Sequence, residues 1–98
     1  MGFVQIVEYQ TSRVDEVEKL IDDWREQTQG QRTAQRAIVC SDRERPNTYI
    51  TVVQFDSYEA AMKNSELPAT GAMAEQMAKL CDGPPTFRNL DLMRVEEL

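Results

Sequence analysis

The sequence predicts one α+β domain in which a four-stranded antiparallel sheet carries its helices on one face. The chain has 98 residues, enough for a single domain with a small core. Apolar residues alternate with period two in some segments and recur with period 3.6 in others. These segments follow one another in the order β-α-β-β-α-β, with no repeat, low-complexity tract or linker between them. We therefore interpret residues 1–98 as one domain.

The first strand and the first helix have the clearest patterns. Residues 3–9 (FVQIVEY) are rich in β-branched and aromatic side chains, with apolar groups on both faces, which predicts a strand covered on both sides. A regular apolar stripe that ends at Trp24 predicts a helix near residues 13–29. Ser12 is the expected N-cap of this helix, and Gly30 its stop.

Three further strands follow from alternation and turn signals. Residues 34–41 and 47–55 read as two strands, and the charged, proline-containing loop at 42–46 between them predicts a β-hairpin. Residues 86–95 (TFRNLDLMRV) alternate in the same way and predict the last strand of the sheet.

The second helical stretch, residues 57–82, is interrupted in its middle. Asp56 or Ser57 should cap its first turn. Proline disfavours helical geometry in the residue before it and fits the first turn of a new helix, so a break is expected at Leu67-Pro68. An apolar face continues beyond the break until Gly83 and two prolines end the helix.

This order of elements, with right-handed crossovers, gives a ferredoxin-like βαββαβ sandwich with both helical segments on one face. The other face of the sheet then has no cover within the chain. Because the strands show apolar residues on both faces, the sequence predicts a homodimer that joins two sheets through these faces.

Composition excludes several partners. The formal net charge is −6 and the basic residues are scattered, so nucleic acid is not an expected partner. No apolar run approaches the roughly 20 residues needed to span a bilayer, and no signal segment is visible, so we expect no membrane and a cytoplasmic location. Cys40 and Cys81 lack the spacing of a disulfide scaffold or zinc site, and both are expected to be reduced and packed.

With this order in place, residues 58–77 (YEAAMKNSELPATGAMAEQM) resemble the dimeric α/β-barrel superfamily, in particular its antibiotic-biosynthesis-monooxygenase-like domains. The resemblance implies a dimeric barrel and one of several activities: cofactor-free oxygenation of polycyclic phenols, haem degradation, lactone isomerisation or polyketide cyclisation. The chain has no histidine, which removes the iron ligand of the haem-degrading branch. No glycine-rich phosphate turn or metal-ligand cluster is visible either, so we expect neither haem, flavin nor metal.

The oxygenase interpretation needs groups that orient and enclose an aromatic substrate. Asn64 near the helix break could orient a substrate oxygen, although an asparagine there is also suited to a left-handed helix C-cap. Trp24 could form an aromatic wall, but as the last member of a regular stripe it could equally be core. Met73 and Met77 could contact the substrate or simply fill the core.

Proton transfer must be carried out by side chains other than histidine, because the chain has none. Tyr9, Tyr49 and Asp91 lie on predicted strands and would project into a pocket if their faces point toward the helices. An enzyme would need a cavity of a few hundred Å³ between the helices and the sheet. A solid core there would instead favour a small-molecule-binding or assembly module.

Overall fold

The computed structural model describes residues 2–98 and confirms the predicted α+β fold. Its elements are β1 (Phe3–Gln10), α1 (Val14–Gln27), β2 (Arg36–Ser41), β3 (Thr48–Phe55), α2 (Tyr58–Ser65), α3 (Pro68–Leu80) and β4 (Thr86–Asp91). The four strands form one antiparallel sheet in the order β2-β3-β1-β4. The first and third strands are therefore central, and the second and fourth form the edges.

Buried aromatic side chains identify the face of the sheet that carries the helices. Phe3 of β1 and Phe55 of β3 are each 3% exposed and pack in one cluster with Ala61 of α2. Their ring centroids are 6.2 Å apart. Successive strand residues point to opposite faces, so Tyr9, which is also buried, shares the face of Phe3. We call this the inner face and the opposite one the outer face.

Helix α1 begins without the Ser12 cap that the sequence predicts. The residue before the helix is Arg13, whose side chain pairs with Glu16. The buried Thr11 hydroxyl accepts a hydrogen bond from the Arg13 N–H at 2.9 Å and donates one to the Leu80 carbonyl at 2.6 Å. A contact between the end of β1 and the end of α3 thus replaces the expected local cap.

The predicted break in the second helical stretch is confirmed. The Ser57 hydroxyl caps α2 by accepting a hydrogen bond from the Ala60 N–H at 3.1 Å. Leu67 is extended, with φ −63° and ψ 132°, and Pro68 is the first residue of α3. The proline therefore separates two helices where the sequence places the interruption.

Strand β4 stops at Asp91, short of the predicted end at Val95. Asp91 lies opposite Phe3, the first residue of β1, so no residue of β1 remains to pair with the residues after Asp91. One more backbone hydrogen bond, from the Leu92 N–H to the Gly2 carbonyl at 2.9 Å, ends the pairing. Beyond it, the side chain of Val95 is 72% exposed.

The outer face of the sheet carries a group of apolar side chains and no helix. Cys40 lies on this face and is exposed, so the expectation that it packs in the core is wrong for a single chain. Its exposure follows from its place on the edge strand β2. The apolar side chains of the outer face are Val4, Ile6, Ile38, Ile50, Val52 and Leu90.

Candidate functional site

The residues predicted to be catalytic lie at two ends of the central strand β1. Tyr9 is directly opposite Tyr49 of β3, and their rings stack with centroids 5.8 Å apart. At the other end of β1, Phe3 lies opposite Asp91 and packs against α2, the helix that carries Asn64. Six residues of extended strand span roughly 20 Å. The structure therefore separates the two tyrosines from Asp91. Asn64, which is bonded to the segment before β2, lies toward the opposite edge of the sheet from Asp91 on β4.

Tyr9 is a buried phenol without a hydrogen-bond partner among residues 2–98. Its side chain is 2% exposed, and its hydroxyl is the buried polar atom left unsatisfied in this part of the chain. Burial raises the pKa of Tyr9; the nearby Thr51 hydroxyl offsets part of this shift, although it is not at hydrogen-bonding geometry. Desolvation thus favours the neutral phenol over the phenolate.

Replacing Tyr9 by phenylalanine is expected to stabilise the fold by about 1 kcal/mol, because it removes a buried hydroxyl that lacks a partner. The folded state holds the Tyr9 proton more tightly than the unfolded state does. The free energy of unfolding of the wild type should therefore be unaffected by this group below about pH 10 and should fall as the pH rises further. Urea titrations at pH 8 and pH 10.5 measure both effects.

Tyr58→Phe is the matched control for Tyr9→Phe, since Tyr58 is 51% exposed and its hydroxyl meets water. It should change neither the stability at pH 8 nor the alkaline decline. A loss of stability in Tyr9→Phe would mean that the Tyr9 hydroxyl has a partner in the folded protein.

Asn64 connects α2 to the segment that leads into β2. It is 7% exposed, and its Oδ1 accepts a hydrogen bond from the Thr33 N–H at 3.2 Å. The Thr33 hydroxyl in turn donates to the Ala60 carbonyl. Asn64 lies within the helix, and the cap residue after it, Glu66, is right-handed with φ −82°. The alternative interpretation of Asn64 as a left-handed cap is therefore wrong, and its amide NH₂ is the group left to meet a ligand.

Trp24 and Met73 meet between α1 and α3. The Trp24 Nε1–H donates to the Thr70 hydroxyl at 2.9 Å, and the guanidinium carbon of Arg32 lies 5.7 Å from the ring centroid. We call the groove between the two helices the helix seam. It is lined by Leu20, Asp23, Trp24, Gln27, Ala69, Ala72, Met73 and Gln76. Met77, the third predicted contact residue, does not line it.

The helix seam is a shallow site. Its volume is about 140 Å³, below the roughly 300–1,000 Å³ of typical ligand pockets. A second, wider depression of about 370 Å³ lies among charged and amide side chains of α1 and the following turn. Both concavities belong to the helical layer, and neither is enclosed between the helices and the sheet.

The inner face of β1 and β4 is only partly covered by helices. Helix α3 contains no buried residue, and Phe87 of β4 is 55% exposed. Asn89 and Asp91 share the face of Phe87 and are exposed as well. Across the two strands, the Gln5 Nε2 donates to the Asn89 Oδ1 at 3.2 Å. We call the surface formed by Gln5, Val7, Phe87, Asn89 and Asp91 the inner shelf.

Of these shelf residues, the sequence singles out only Asp91 as a candidate. Alternation along β4 does place Phe87, Asn89 and Asp91 on one face. It does not show that Gln5 faces Asn89, because 84 positions separate them in the chain. The pairing depends on the register of β1 with β4.

Residues 2–98 contain neither a grouped set of metal ligands nor a membrane-spanning helix. Within residues 2–98, no three His, Cys, Asp or Glu side chains are grouped so that they could hold a metal ion. None of the helices described is long and apolar enough to cross a membrane.

No family model matches the sequence, and no curated protein is significantly similar to it. Solved structures, in contrast, match nearly the whole chain. SnoaB, a cofactor-independent oxygenase from Streptomyces nogalater, is 12% identical with a TM-score of 0.80, over 96% of this chain and 95% of that one. A Caulobacter crescentus protein assigned as an antibiotic biosynthesis monooxygenase is 14% identical with a TM-score of 0.82, over 95% and 91%.

A third structure, Rv0793 from Mycobacterium tuberculosis, is 11% identical with a TM-score of 0.80, over 99% of this chain and 100% of that one. Identities this low show a shared fold. The predicted likeness to antibiotic-biosynthesis-monooxygenase-like proteins is thus confirmed for the fold, which this chain shares from end to end.

Proposed function

We propose that two copies of this chain form a cytoplasmic homodimer that oxygenates a hydrophobic aromatic small molecule without a cofactor. The observation that carries the proposal is the inner shelf, where an exposed aromatic ring and a few polar groups lie on a part of the sheet that the helices leave open. Pockets for such ligands combine apolar surface with a few placed polar groups. The shared fold with SnoaB, described as a cofactor-independent oxygenase, supports this choice among possible reactions.

The proposed reaction uses an electron-rich substrate of the anthrone class. A base removes a proton from the ring CH₂, and the resulting carbanion reacts with O₂. One oxygen atom becomes a new ring carbonyl, and the other leaves as water with the two hydrogens of the CH₂ group. The protein contributes orientation, exclusion of water and a proton acceptor. A related isomerase or cyclase would use the same three contributions.

Asp91 and Asn64 are the proposed catalytic groups. Asp91 lies on edge strand β4 and Asn64 lies near the segment that leads into β2, the opposite edge strand, so the substrate would lie across the sheet between them. Asp91 lies on the inner shelf and is exposed, so its carboxylate can accept the substrate proton. The Asn64 amide NH₂ would donate to the developing oxyanion while its oxygen stays bonded to the Thr33 N–H. Met77 of α3, which is half-buried, would contact the apolar ring.

The other four predicted residues have secondary roles in the proposed site. Tyr9 and Tyr49 could move a proton only for a ligand that reaches the far end of β1, since Tyr9 is buried there. Trp24 and Met73 would form the wall that α1 and α3 share, since the Trp24 indole is already bonded to Thr70.

Anthrone and an oxygen electrode test the proposal directly. The purified protein should consume one O₂ per anthrone and yield anthraquinone, whereas 10,10-dimethylanthrone, which lacks the removable protons, should give no uptake. Asp91→Asn should lower kcat by about 100-fold or more, the usual effect of losing a positioned base. Asn64→Ala should lower it by about 100-fold if the amide stabilises the oxyanion.

Glu97→Gln is the control for these variants, because Glu97 is exposed and lies beyond the last strand. It should retain wild-type turnover. Stoichiometric haem, flavin or metal in the active protein would overturn the cofactor proposal. Turnover that survives both Asp91→Asn and Asn64→Ala would overturn the proposed site.

The alternative is a small-molecule-binding or assembly module without catalysis. The observation that favours it is that neither concavity lies between the helices and the sheet, where an enzyme of this kind would need a cavity of a few hundred Å³. A module of this kind would bind anthrone or related phenols with no oxygen uptake, or would bind none of them.

A further inference from the structure

Residues 93–98, which follow β4, expose apolar side chains to solvent. Met93 and Val95 are 81% and 72% exposed, and Leu98 is fully exposed. The pattern that predicts a strand over residues 86–95 continues to Val95, although β1 has no residue left to pair with it there. We call residues 93–98 the trailing segment. It begins with the sequence of a strand but has no neighbouring strand among residues 2–98.

The free edge of β2 is the less protected of the two sheet edges. Within residues 2–98, β2 pairs only with β3, so no strand bonds to the backbone groups along its other side. The four central residues of β2, AIVC, include neither a charge nor a proline. The other edge strand, β4, carries Arg88 and Asp91 and follows two prolines. Charges and prolines protect an edge against further pairing, so an added strand is expected at β2.

Charge sets the direction in which the trailing segment would lie along β2. The segment carries two acidic residues, Glu96 and Glu97, after its first apolar ones. Strand β2 begins with Arg36, which forms no salt bridge among residues 2–98. An antiparallel arrangement places the acidic residues beside Arg36, whereas a parallel one places them beside Asp42 and the mixed charges of the loop that follows. Opposite charges across two strands stabilise the pair, so antiparallel pairing is favoured.

One antiparallel register brings Glu96 opposite Arg36. Glu96 is bonded to Arg94 within its own chain, but this exposed pair contributes little and can be exchanged. Counting back along both strands, the register also places Val95 opposite Ala37, Met93 opposite Val39 and Leu92 opposite Cys40. Arg36 and Cys40 belong to the outer face, and alternation from Leu90 puts residues 92 and 96 on that face as well. The two strands therefore match in charge and in face.

A second copy, and not the same chain, can provide this contact. Two strands separate β2 from β4, which places these edges about 14 Å apart at the usual strand spacing. Crossing that distance would use about four residues of the trailing segment and leave too few to pair. In the proposed dimer two outer faces meet, so a segment that leaves one sheet can continue along the edge of the other.

We infer that the trailing segment of one copy pairs antiparallel with β2 of a second copy, with Glu96 opposite Arg36 and Leu92 opposite Cys40. Both copies make this contact, so it occurs twice in the dimer. Each pairing removes apolar side chains of the segment from water and gives the free edge of β2 its backbone partners. The inference rests on the homodimer of the proposed function and adds a second contact to it.

Disulfide formation measures this pairing. Leu92→Cys places a further thiol opposite the natural Cys40, and mild oxidation should convert most of the protein into a covalent dimer linked through residues 92 and 40. Peptide mass spectrometry identifies the link. A disulfide needs Cα atoms roughly 4.4–6.8 Å apart, so the separation of the two edges prevents this link within one chain.

Two variants control the cross-linking. Leu92→Cys combined with Cys40→Ala should form no such link. Met93→Cys is the matched control, because its side chain points to the opposite face of the strand and should not reach Cys40. Circular dichroism of each variant shows whether the fold is intact.

Exchange of charges tests the register. Arg36→Glu and Glu96→Arg should each raise the dissociation constant of the dimer about tenfold, the scale of two exposed ion pairs. The double variant should restore the wild-type value, as measured by light scattering in a dilution series. Arg36→Glu combined with Glu97→Arg is the matched control and should stay weak, because Glu97 faces away from Arg36 in this register.

Three outcomes would overturn the inference: a dimer whose Leu92→Cys variant does not link to Cys40, a link between the two copies of residue 92, or a double charge exchange that restores nothing. Each leaves the proposed dimer in place, whereas a monomeric wild type would overturn both. A link between residues 92 and 40 in a protein that consumes no oxygen with anthrone would keep this contact and remove the proposed reaction.

Discussion

Replacing Ile6 by lysine is expected to convert the proposed dimer to a monomer. Ile6 lies on the central strand β1, on the outer face, where no helix covers the apolar side chains. In a dimer joined through this face, symmetry brings one new ammonium group from each copy into the interface. If each unpaired charge costs about 2 kcal/mol or more, the dissociation constant rises at least about 1,000-fold.

Light scattering across a micromolar concentration series measures this change. Ala78→Lys is the control, because Ala78 is exposed on α3, on the opposite side of the sheet. It adds the same charge and should leave the dimer intact. Leu90→Lys, at a position on edge strand β4 that is 44% exposed, should dissociate the dimer with less risk to the fold of the single chain. A wild type that is monomeric at these concentrations, or a dimer that survives both outer-face lysines, would contradict the proposed interface.

Phe55→Ala is expected to have the largest effect on stability. Phe55 is 3% exposed and lies in the cluster with Phe3 and Ala61 that joins the sheet to α2. Removing a buried phenylalanine ring typically costs about 3–5 kcal/mol, through lost burial and the cavity left behind. A domain of this size has a total stability of only about 5–15 kcal/mol. The melting temperature should fall by on the order of 20 °C.

Phe87→Ala is the matched control, since it removes the same ring from a position that is 55% exposed. It should cost less than about 1 kcal/mol, because most of the ring already meets water. Differential scanning calorimetry measures the melting temperatures of both variants. Equal losses would mean that Phe87 is covered in the folded protein, which would remove the inner shelf as an open surface.

Local patterns were sufficient to predict the order of the elements. Alternation in residues 3–9 and the proline at position 68 both act through neighbouring residues, so the sequence alone reveals them. The sequence-based predictions fail where a contact between residues far apart in the chain determines the local structure. Ser12 is not the cap of α1 because Thr11 joins Leu80 instead. The end of β4 depends on where β1 begins, which no pattern within residues 86–95 contains.

The candidate site could be predicted only in part for the same reason. Asn64 and Asp91 were identified as polar groups near a helix break and on a strand, yet the contact of Asn64 with Thr33 spans 31 positions. The pairing of Gln5 with Asn89 spans 84. Such contacts follow from strand register and helix packing, which are properties of the assembled chain.

Helix α3 is attached to the rest of the molecule in an unusual way. Its side-chain contacts are mainly with α1, through Trp24 with Thr70 and along the helix seam at Met73, while its last residue, Leu80, accepts a hydrogen bond from Thr11; none of its residues is buried. A segment that buries little apolar surface opens at a small fraction of the global free energy of unfolding. Amide hydrogens of α3 can therefore exchange with solvent while those of the central strands stay protected. Opening of α3 would then not require the sheet to unfold.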